Sequence, residues 1–198
     1  MLTRIRGKVN SYVMKIAKIF AILGLRPIHL TILSLLFAFS AFLSAVLYNS
    51  KYLFLLFITL SGLMDMLDGA LARALNKASK RGAFIDSTLD RISDFFIIYS
   101  LIYFDFEYSL VIYLLVVSFM ISYVRARSES LGLSLEGVGI IERAERIIFI
   151  LVIILVSSYN KILSLTLLYA LLLLSTVTLL QRIFFVVIHI EKSSRKTI

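Results

Sequence analysis

The sequence predicts an all-α integral membrane protein: a six-transmembrane-helix bundle preceded by an N-terminal amphipathic interfacial helix. Three observations carry that expectation. The 198-residue chain is 60% hydrophobic with a mean hydropathy of +0.97, more apolar surface than a soluble domain of this size can hide. Six apolar segments recur, at 28–48, 52–75, 84–104, 108–128, 140–159 and 162–188, most of them reaching the ~20 residues a bilayer crossing needs. Basic residues concentrate in every second link, as membrane topology requires. With no internal repeat and no linker, residues 1–198 are expected to form one domain, with 1–24 the interfacial helix and 28–190 the bundle.

Leu2, Ile5, Val9, Val13, Ile16 and Phe20 recur at helical spacing, with Arg4, Lys8, Lys15 and Lys18 elsewhere around the helix. That pattern suits a helix lying in the headgroup layer; an ordinary basic lead-in to the first span is the alternative. The stretch is not expected to act as a secretory signal, because charges interrupt its apolar positions out to Arg26. Gly24 ends it, and Pro27, the only proline, suits the first turn of the next helix. The third apolar segment is polar in its first half, carrying Asp86, Asp90 and Asp94. It can span only if that face is covered by protein or lines a water-filled cavity.

The links near Ser50, Asp105 and Asn160 hold only Lys51 and Lys161 of the 21 basic residues. The positive-inside rule therefore predicts a multi-pass protein of the cell membrane, with both termini and the aspartate-rich layer cytoplasmic. The net charge of +9 then suits anionic headgroups and phosphorylated substrates, and no nucleic acid is expected. The absence of cysteine excludes disulfides and thiolate metal sites and leaves the compartment open.

The chemistry is concentrated between Asp65 and Asp90, in the pattern Asp-x2-Asp-Gly-x2-Ala-Arg-x8-Gly-x3-Asp-x3-Asp. Asp65 and Asp68 share a helix face by their i,i+3 spacing, and Asp86 and Asp90 by i,i+4. A tight antiparallel hairpin turning at the basic stretch from Asn76 to Gly82 would bring all four carboxylates to one level. Four uncompensated charged acids inside a membrane would cost roughly 10–14 kcal/mol, so a positive partner is expected among them. Oxygen ligands alone favour Mg²⁺, Mn²⁺ or Ca²⁺ over zinc. Salt-bridged helix ends, with Arg73, Lys77, Arg81 and Arg91 neutralising the acids, are the plainer alternative.

This pattern is similar, at every fixed position, to the signature of the CDP-alcohol phosphotransferases, membrane enzymes that move a phosphoalcohol from a CDP-linked donor to an acceptor alcohol. The resemblance implies that Asp65, Asp68, Asp86 and Asp90 hold metal, two Mg²⁺ or Mn²⁺ ions per site, and that Asp90 is the catalytic general base. It implies a CDP-binding segment of Asp68, Gly69, Ala72 and Arg73, with Gly82 letting the loop approach the nucleotide. Pro27-Ile28-His29-Leu30-Thr31 resembles the family's Pro-Asn-x-x-Thr, so Thr31 is a further CDP-binding candidate, while Ile28 departs from the pattern. A helix-backbone bond for the Thr31 hydroxyl is the alternative. His29 reads as a helix-end residue, His189 as interfacial, and Asp94 as a hydrogen-bonding neighbour of the site.

Ser122-Tyr-Val-Arg125-Ala-Arg127 and Glu142-Arg143-Ala-Glu145-Arg146 resemble segments of the phosphatidylinositol-phosphate (archaetidylinositol-phosphate) synthase branch of that family. There the acceptor is inositol 1-phosphate. The resemblance implies an acceptor-phosphate pocket of Ser122, Arg125, Arg146 and Arg182, while Arg127 and Arg143 read as ordinary cytoplasmic-end charges. It further implies a homodimer using CDP-diacylglycerol or CDP-archaeol in phospholipid biosynthesis. Glycerol 3-phosphate is the rival acceptor; serine and free inositol fit less well. From other classes, a cation transporter or channel would also bury convergent acids, and a membrane prenyltransferase would release pyrophosphate instead of CMP.

Overall fold

The computed structural model describes residues 13–17, 19–75 and 79–194, with side chains through Ile190. Among these residues there is helix and no strand. Six α-helices follow residue 26: α1 (Pro27–Tyr48), α2 (Lys51–Ala74), α3 (Lys80–Tyr99), α4 (Tyr108–Ser130), α5 (Arg143–Ser157) and α6 (Lys161–Ser194). A 3₁₀ turn, Ser100–Phe104, extends α3.

Local chemistry explains most helix ends. Pro27 starts α1 at a position where its missing N–H costs nothing. His29 Nδ1 accepts the Arg26 backbone N–H at 3.3 Å, giving it the helix-end role expected of it. Asn49 closes α1 with a left-handed φ of 45°, which asparagine tolerates better than most residues. Ser50 and Ser79 cap α2 and α3, accepting the N–H groups of Leu53 at 3.4 Å and Gly82 at 3.0 Å.

The chain divides into two compact units, Met1–Ser100 and Leu101–Ile198. In the first, α1 packs along both α2 and α3. The Ser34 hydroxyl donates to the Ser61 carbonyl at 2.9 Å, at a level where small side chains let α1 and α2 approach. Phe39 and Phe96 meet edge to face, 5.1 Å between centroids, joining α1 to α3. Close backbone approach between α2 and α3 is sparse. The tight hairpin expected of these two aspartate-bearing helices is therefore corrected: α1 serves both as their common packing partner.

Residues 13–17 and 19–22 are helical. Val13 and Ala17 are buried against Leu30, Leu67, Ala70 and Leu71, with Phe20 packed beside them. Ile16, Ile19 and Leu23 are exposed. The expected apolar face thus splits, with Val13 and Phe20 turned to protein and Ile16 turned outward. Leu2, Ile5, Val9 and Lys18 lie outside the described residues.

In the second unit α6 packs against α4 and α5. The Tyr113 hydroxyl and Thr176 Oγ1 join α4 to α6 at 2.9 Å. Lys161 Nζ donates to the Asp105 carbonyl at 2.9 Å, tying the start of α6 to the link before α4.

Among the described residues four helices are long and apolar enough to cross a membrane: Pro27–Tyr48, Lys51–Ala74, Tyr108–Ser130 and Lys161–Ile190. Large exposed apolar side chains such as Leu36, Leu56, Val116 and Leu173 fit lipid contact rather than water. The other two predicted segments differ for physical reasons. α3 carries Lys80, Arg81, Asp86, Asp90, Arg91 and Asp94. α5 starts only at Arg143 and has 15 residues, a length of about 22 Å against a hydrocarbon core of about 30 Å.

Candidate active site

Helical spacing alone puts Asp65 and Asp68 on one face of α2 and Asp86 on α3 nearly two turns inside its start. The packing of α1 against both helices then determines how these faces meet. One carboxylate oxygen from each of Asp65, Asp68 and Asp86 lies within 4.8 Å of the other two. Asp68 is buried, with only 6% of its surface exposed. Its Oδ2 is enclosed without a hydrogen-bonding partner among the described residues, an arrangement that costs free energy unless a cation completes it. Three oxygens so spaced can all lie about 2.0–2.6 Å from one hard divalent cation. The donor set therefore fits Mg²⁺, Mn²⁺ or Ca²⁺.

Asp90 is not a member of this group of three. It stands a turn further along α3, with Arg91 Nη1 3.5 Å from its Oδ2. Three of the four carboxylates expected at one level are thus brought together, and Asp90 follows one turn along α3. Asp94, one turn beyond, is buried with Ser93.

The cluster opens into a cavity of about 280 Å³ lined by Thr31, Asp68, Gly69, Ala72, Arg73, Gly82 and Asp86, with Pro27, Ile28, Ser79 and Ala83 completing the wall. All six residues expected to bind CDP thus face one space. Thr31 serves two ends, since its hydroxyl donates to the Pro27 carbonyl at 3.2 Å and also reaches the Asp68 carboxylate. Gly69 leaves room for the Arg73 guanidinium, whose Nη1 lies 3.5 Å from where a Gly69 Cβ would sit. Gly82 is in the first turn of α3 rather than in a loop, with its N–H held by Ser79. The cavity wall is therefore partly a helix N-terminus, where backbone N–H groups and the helix dipole favour anions. Ser79 and Ala83 were not anticipated from sequence. The serine ahead of Lys80 carries a usable N-cap signal, but nothing in spacing alone says that the cap faces a cavity.

The four acceptor-side candidates lie in the second unit. Arg146 and Arg182 are buried, at 4% and 3% exposure. Arg182 Nε donates to the Val138 carbonyl at 2.9 Å, and its Nη1 to the Ile121 carbonyl at 3.3 Å. Arg125 is half exposed and paired with Glu129 at 2.9 Å on its own helix. Arg125, Glu129 and Glu142 all act electrostatically on Arg182. Ser122 donates to the Ser118 carbonyl at 3.2 Å. The structure gathers Arg125 and Arg182 into one charged neighbourhood, but both also serve protein groups. His189, on the last turns of α6, stacks on Phe185 with Nδ1 2.8 Å from its carbonyl, a helix-end role.

Comparison with known proteins bears on this geometry. The sequence model of the CDP-alcohol phosphatidyltransferases matches residues 25–188. The chain is 40% identical over 149 residues to the archaetidylinositol phosphate synthase of Pyrococcus horikoshii, covering 75% of this chain and 79% of that one. A crystal structure of Mycobacterium tuberculosis phosphatidylinositol phosphate synthase with CDP-DAG bound superposes with a TM-score of 0.68 at 32% identity, over 88% of this chain and 92% of that one. The same enzyme in complex with manganese and citrate gives 0.69 at 33% identity, over 88% of each chain. A transferase assignment displaces the transporter and prenyltransferase alternatives. The Asp65-to-Asp90 pattern, the carboxylate cluster built from it and a match running through both units agree on one conclusion: this chain belongs to the CDP-alcohol phosphatidyltransferase family.

Proposed function

We propose that the protein transfers the phospholipid moiety of a CDP-lipid to a hydroxyl of inositol 1-phosphate, releasing CMP. The observation that carries this reading is the convergence of Asp65, Asp68 and Asp86 at a cavity walled by the Asp-Gly-x2-Ala-Arg segment and the start of α3. Relatives named archaetidylinositol phosphate synthase and phosphatidylinositol phosphate synthase support the acceptor.

Asp65, Asp68 and Asp86 would hold the metal, with Asp90 a further contact. When bound, Mg²⁺ or Mn²⁺, two ions by family resemblance, supplies charge neutralisation for the pyrophosphate and for the leaving oxygen. Arg73 and the N–H groups at the start of α3 bind donor phosphate. Gly69 and Ala72 give the nucleotide a flat, close surface, and Thr31 fixes the Asp68 side of it. Asp90 takes the proton of the acceptor hydroxyl as that oxygen bonds the lipid-linked phosphorus and the bridging oxygen departs with CMP. Ser122, Arg125, Arg146 and Arg182 hold the acceptor's own phosphate; a dianion calls for two or three cations. Of the five Arg182 donors, two serve the Val138 and Ile121 carbonyls, leaving donors for an anion.

The family match runs through both units, which supports treating residues 1–198 as one functional domain. The same reading makes all six helices membrane-embedded, residues 1–24 interfacial, and the site and both termini cytoplasmic; the homodimer rests on family resemblance. In this cysteine-free chain, single cysteines at Ser50, Lys161 and Lys80 test the topology with an impermeant label. Labelling of Lys161 and Lys80 positions from the same side would overturn it.

The reaction is tested by CMP release from CDP-diacylglycerol and CDP-archaeol against inositol 1-phosphate, glycerol 3-phosphate, serine and free inositol. Inositol 1-phosphate is expected to give the highest kcat/KM. Faster turnover with glycerol 3-phosphate would overturn the acceptor while leaving the reaction class standing.

A further inference from the structure

The second unit contains a fastening that the acceptor pocket does not by itself explain. Thr178 and Arg182 lie one turn apart on the same face of α6, and both are buried. Thr178 Oγ1 accepts the N–H of Ile140 at 3.2 Å and that of Ile141 at 3.1 Å. A hydroxyl has two acceptor lone pairs, and both are directed at the loop. Two residues before Ile140, the Val138 carbonyl takes the Arg182 Nε–H at 2.9 Å. Residues 138–141 are thus held across one turn of α6, by an acceptor at one end and a donor at the other.

Between those contacts sits Gly139, at φ +117°, a conformation that side-chain-bearing residues rarely adopt. A Cβ there would meet Thr178 Cγ2 at 2.6 Å and Arg182 Nε at 3.5 Å. The loop therefore lies directly on the two side chains. It leads at once into Glu142, the N-cap of α5, where the Glu142 N–H donates to Glu145 Oε2 at 3.1 Å. Arg146 follows in the first turn, buried.

We infer that Thr178 is a positioning residue for acceptor recognition, which with Gly139 fixes Arg182 and the start of α5 that carries Arg146. The inference rests on the acceptor-pocket reading above. Its physical content is a division of labour. The guanidinium is held at Nε and Nη1 by two carbonyls, and the carbonyl at Val138 stays in place because Thr178 holds the next two peptide groups. Without the hydroxyl, two buried N–H groups lose their acceptor, and the loop must move to find another. Arg182 then loses its orientation while keeping its charge.

The test is steady-state CMP release with inositol 1-phosphate and CDP-diacylglycerol varied separately, using the full-length protein in detergent. Thr178→Val keeps the shape and removes the acceptor. It is expected to raise the KM for inositol 1-phosphate about tenfold, with kcat and the KM for CDP-diacylglycerol within about twofold of the parent. Thr178→Ser keeps the hydroxyl and should stay near the parent. Gly139→Ala should reproduce the acceptor-specific loss, and Gly139→Ala combined with Thr178→Ser, which removes the clashing Cγ2, should recover part of it. Gly139→Ala and the double variant also decide the matter if Thr178→Val fails to fold. Arg182→Gln separates the two levels. If it leaves the KM for inositol 1-phosphate unchanged, the pocket reading falls and the inference with it. If Arg182→Gln raises that KM while Thr178→Val and Gly139→Ala leave it alone, or disturb both substrates equally, the positioning role is overturned and the pocket stands.

Discussion

The aspartate cavity and the arginine group are both read as phosphate-handling surfaces, yet they are built in opposite ways. In the first unit, three carboxylates from two helices meet within 4.8 Å, and the buried Asp68 Oδ2 has no hydrogen-bonding partner among the described residues. That geometry is costly until something cationic completes it. In the second unit, Arg182 already serves two carbonyls and Arg125 already pairs with Glu129. The cavity displays a demand for a ligand; the arginines are satisfied by the protein and can be recruited in addition. A site of the first kind should fail outright when a member is removed, whereas the second should weaken by degrees.

The largest effect is therefore expected in the carboxylate cluster. Asp65→Ala, Asp68→Ala and Asp86→Ala should each abolish CMP release, and a chelator should do the same to the parent protein, reversibly on adding back Mg²⁺ or Mn²⁺. Titration of Mn²⁺ by electron paramagnetic resonance would show the weakened binding directly. Full activity in Asp68→Ala would break the contrast between the two regions at its centre.

Asp90→Asn comes next. Because Asp90 stands outside the group of three, this variant should retain Mn²⁺ and CDP-lipid binding while turnover falls on the order of 10²–10⁴-fold. Turnover within a few-fold of the parent would remove Asp90 from the proton-accepting role; loss of Mn²⁺ binding would make it an essential ligand of the metal and not merely a further contact.

Within the arginine group the effects should rank by burial. Arg146→Gln should raise the KM for inositol 1-phosphate roughly tenfold to a hundredfold. Arg125→Gln should do less, since Arg125 is half exposed and shared with Glu129. An exposed pair of that kind is worth about 0–1 kcal/mol, so Glu129→Gln should release Arg125 and lower the same KM by a few-fold at most. A rise in that KM on Glu129→Gln would mean that the carboxylate orients Arg125 instead of competing for it.

Ser79→Ala is the smallest change and touches the boundary between stability and function. Losing the cap of α3 should cost about 1 kcal/mol, read as a lower melting temperature in detergent. The Gly82 N–H it frees belongs to the cavity wall, so the KM for CDP-lipid should shift less than threefold, on the order of what one neutral hydrogen bond contributes. An unchanged melting temperature would show that other contacts hold the start of α3.

Much of the first unit was legible in the sequence because its determinants are local. Helical periodicity puts Asp65 with Asp68 and sets Gly69, Ala72 and Arg73 on the turns that follow. Pro27, Asn49, Ser50 and Ser79 act within a few residues of themselves, so the helix ends follow from residue chemistry alone. The apolar runs announced a membrane protein without any knowledge of packing, since burial in lipid depends on composition and length.

What only the tertiary structure decided is whatever depends on distance between segments far apart in the chain. Packing of α1 against both α2 and α3 brings three aspartates together within 4.8 Å, a distance that spacing along the chain does not give. Thr31 reaches Asp68 across 37 positions of sequence, and Thr178 holds a loop that departs from helical order some 40 residues earlier. The arginines are the sharpest case. Charge and topology put them at helix ends, but a guanidinium offers five donors in a fixed plane. Which of those donors are spent on the protein and which remain for a ligand is decided by the carbonyls folding brings within about 3 Å of it.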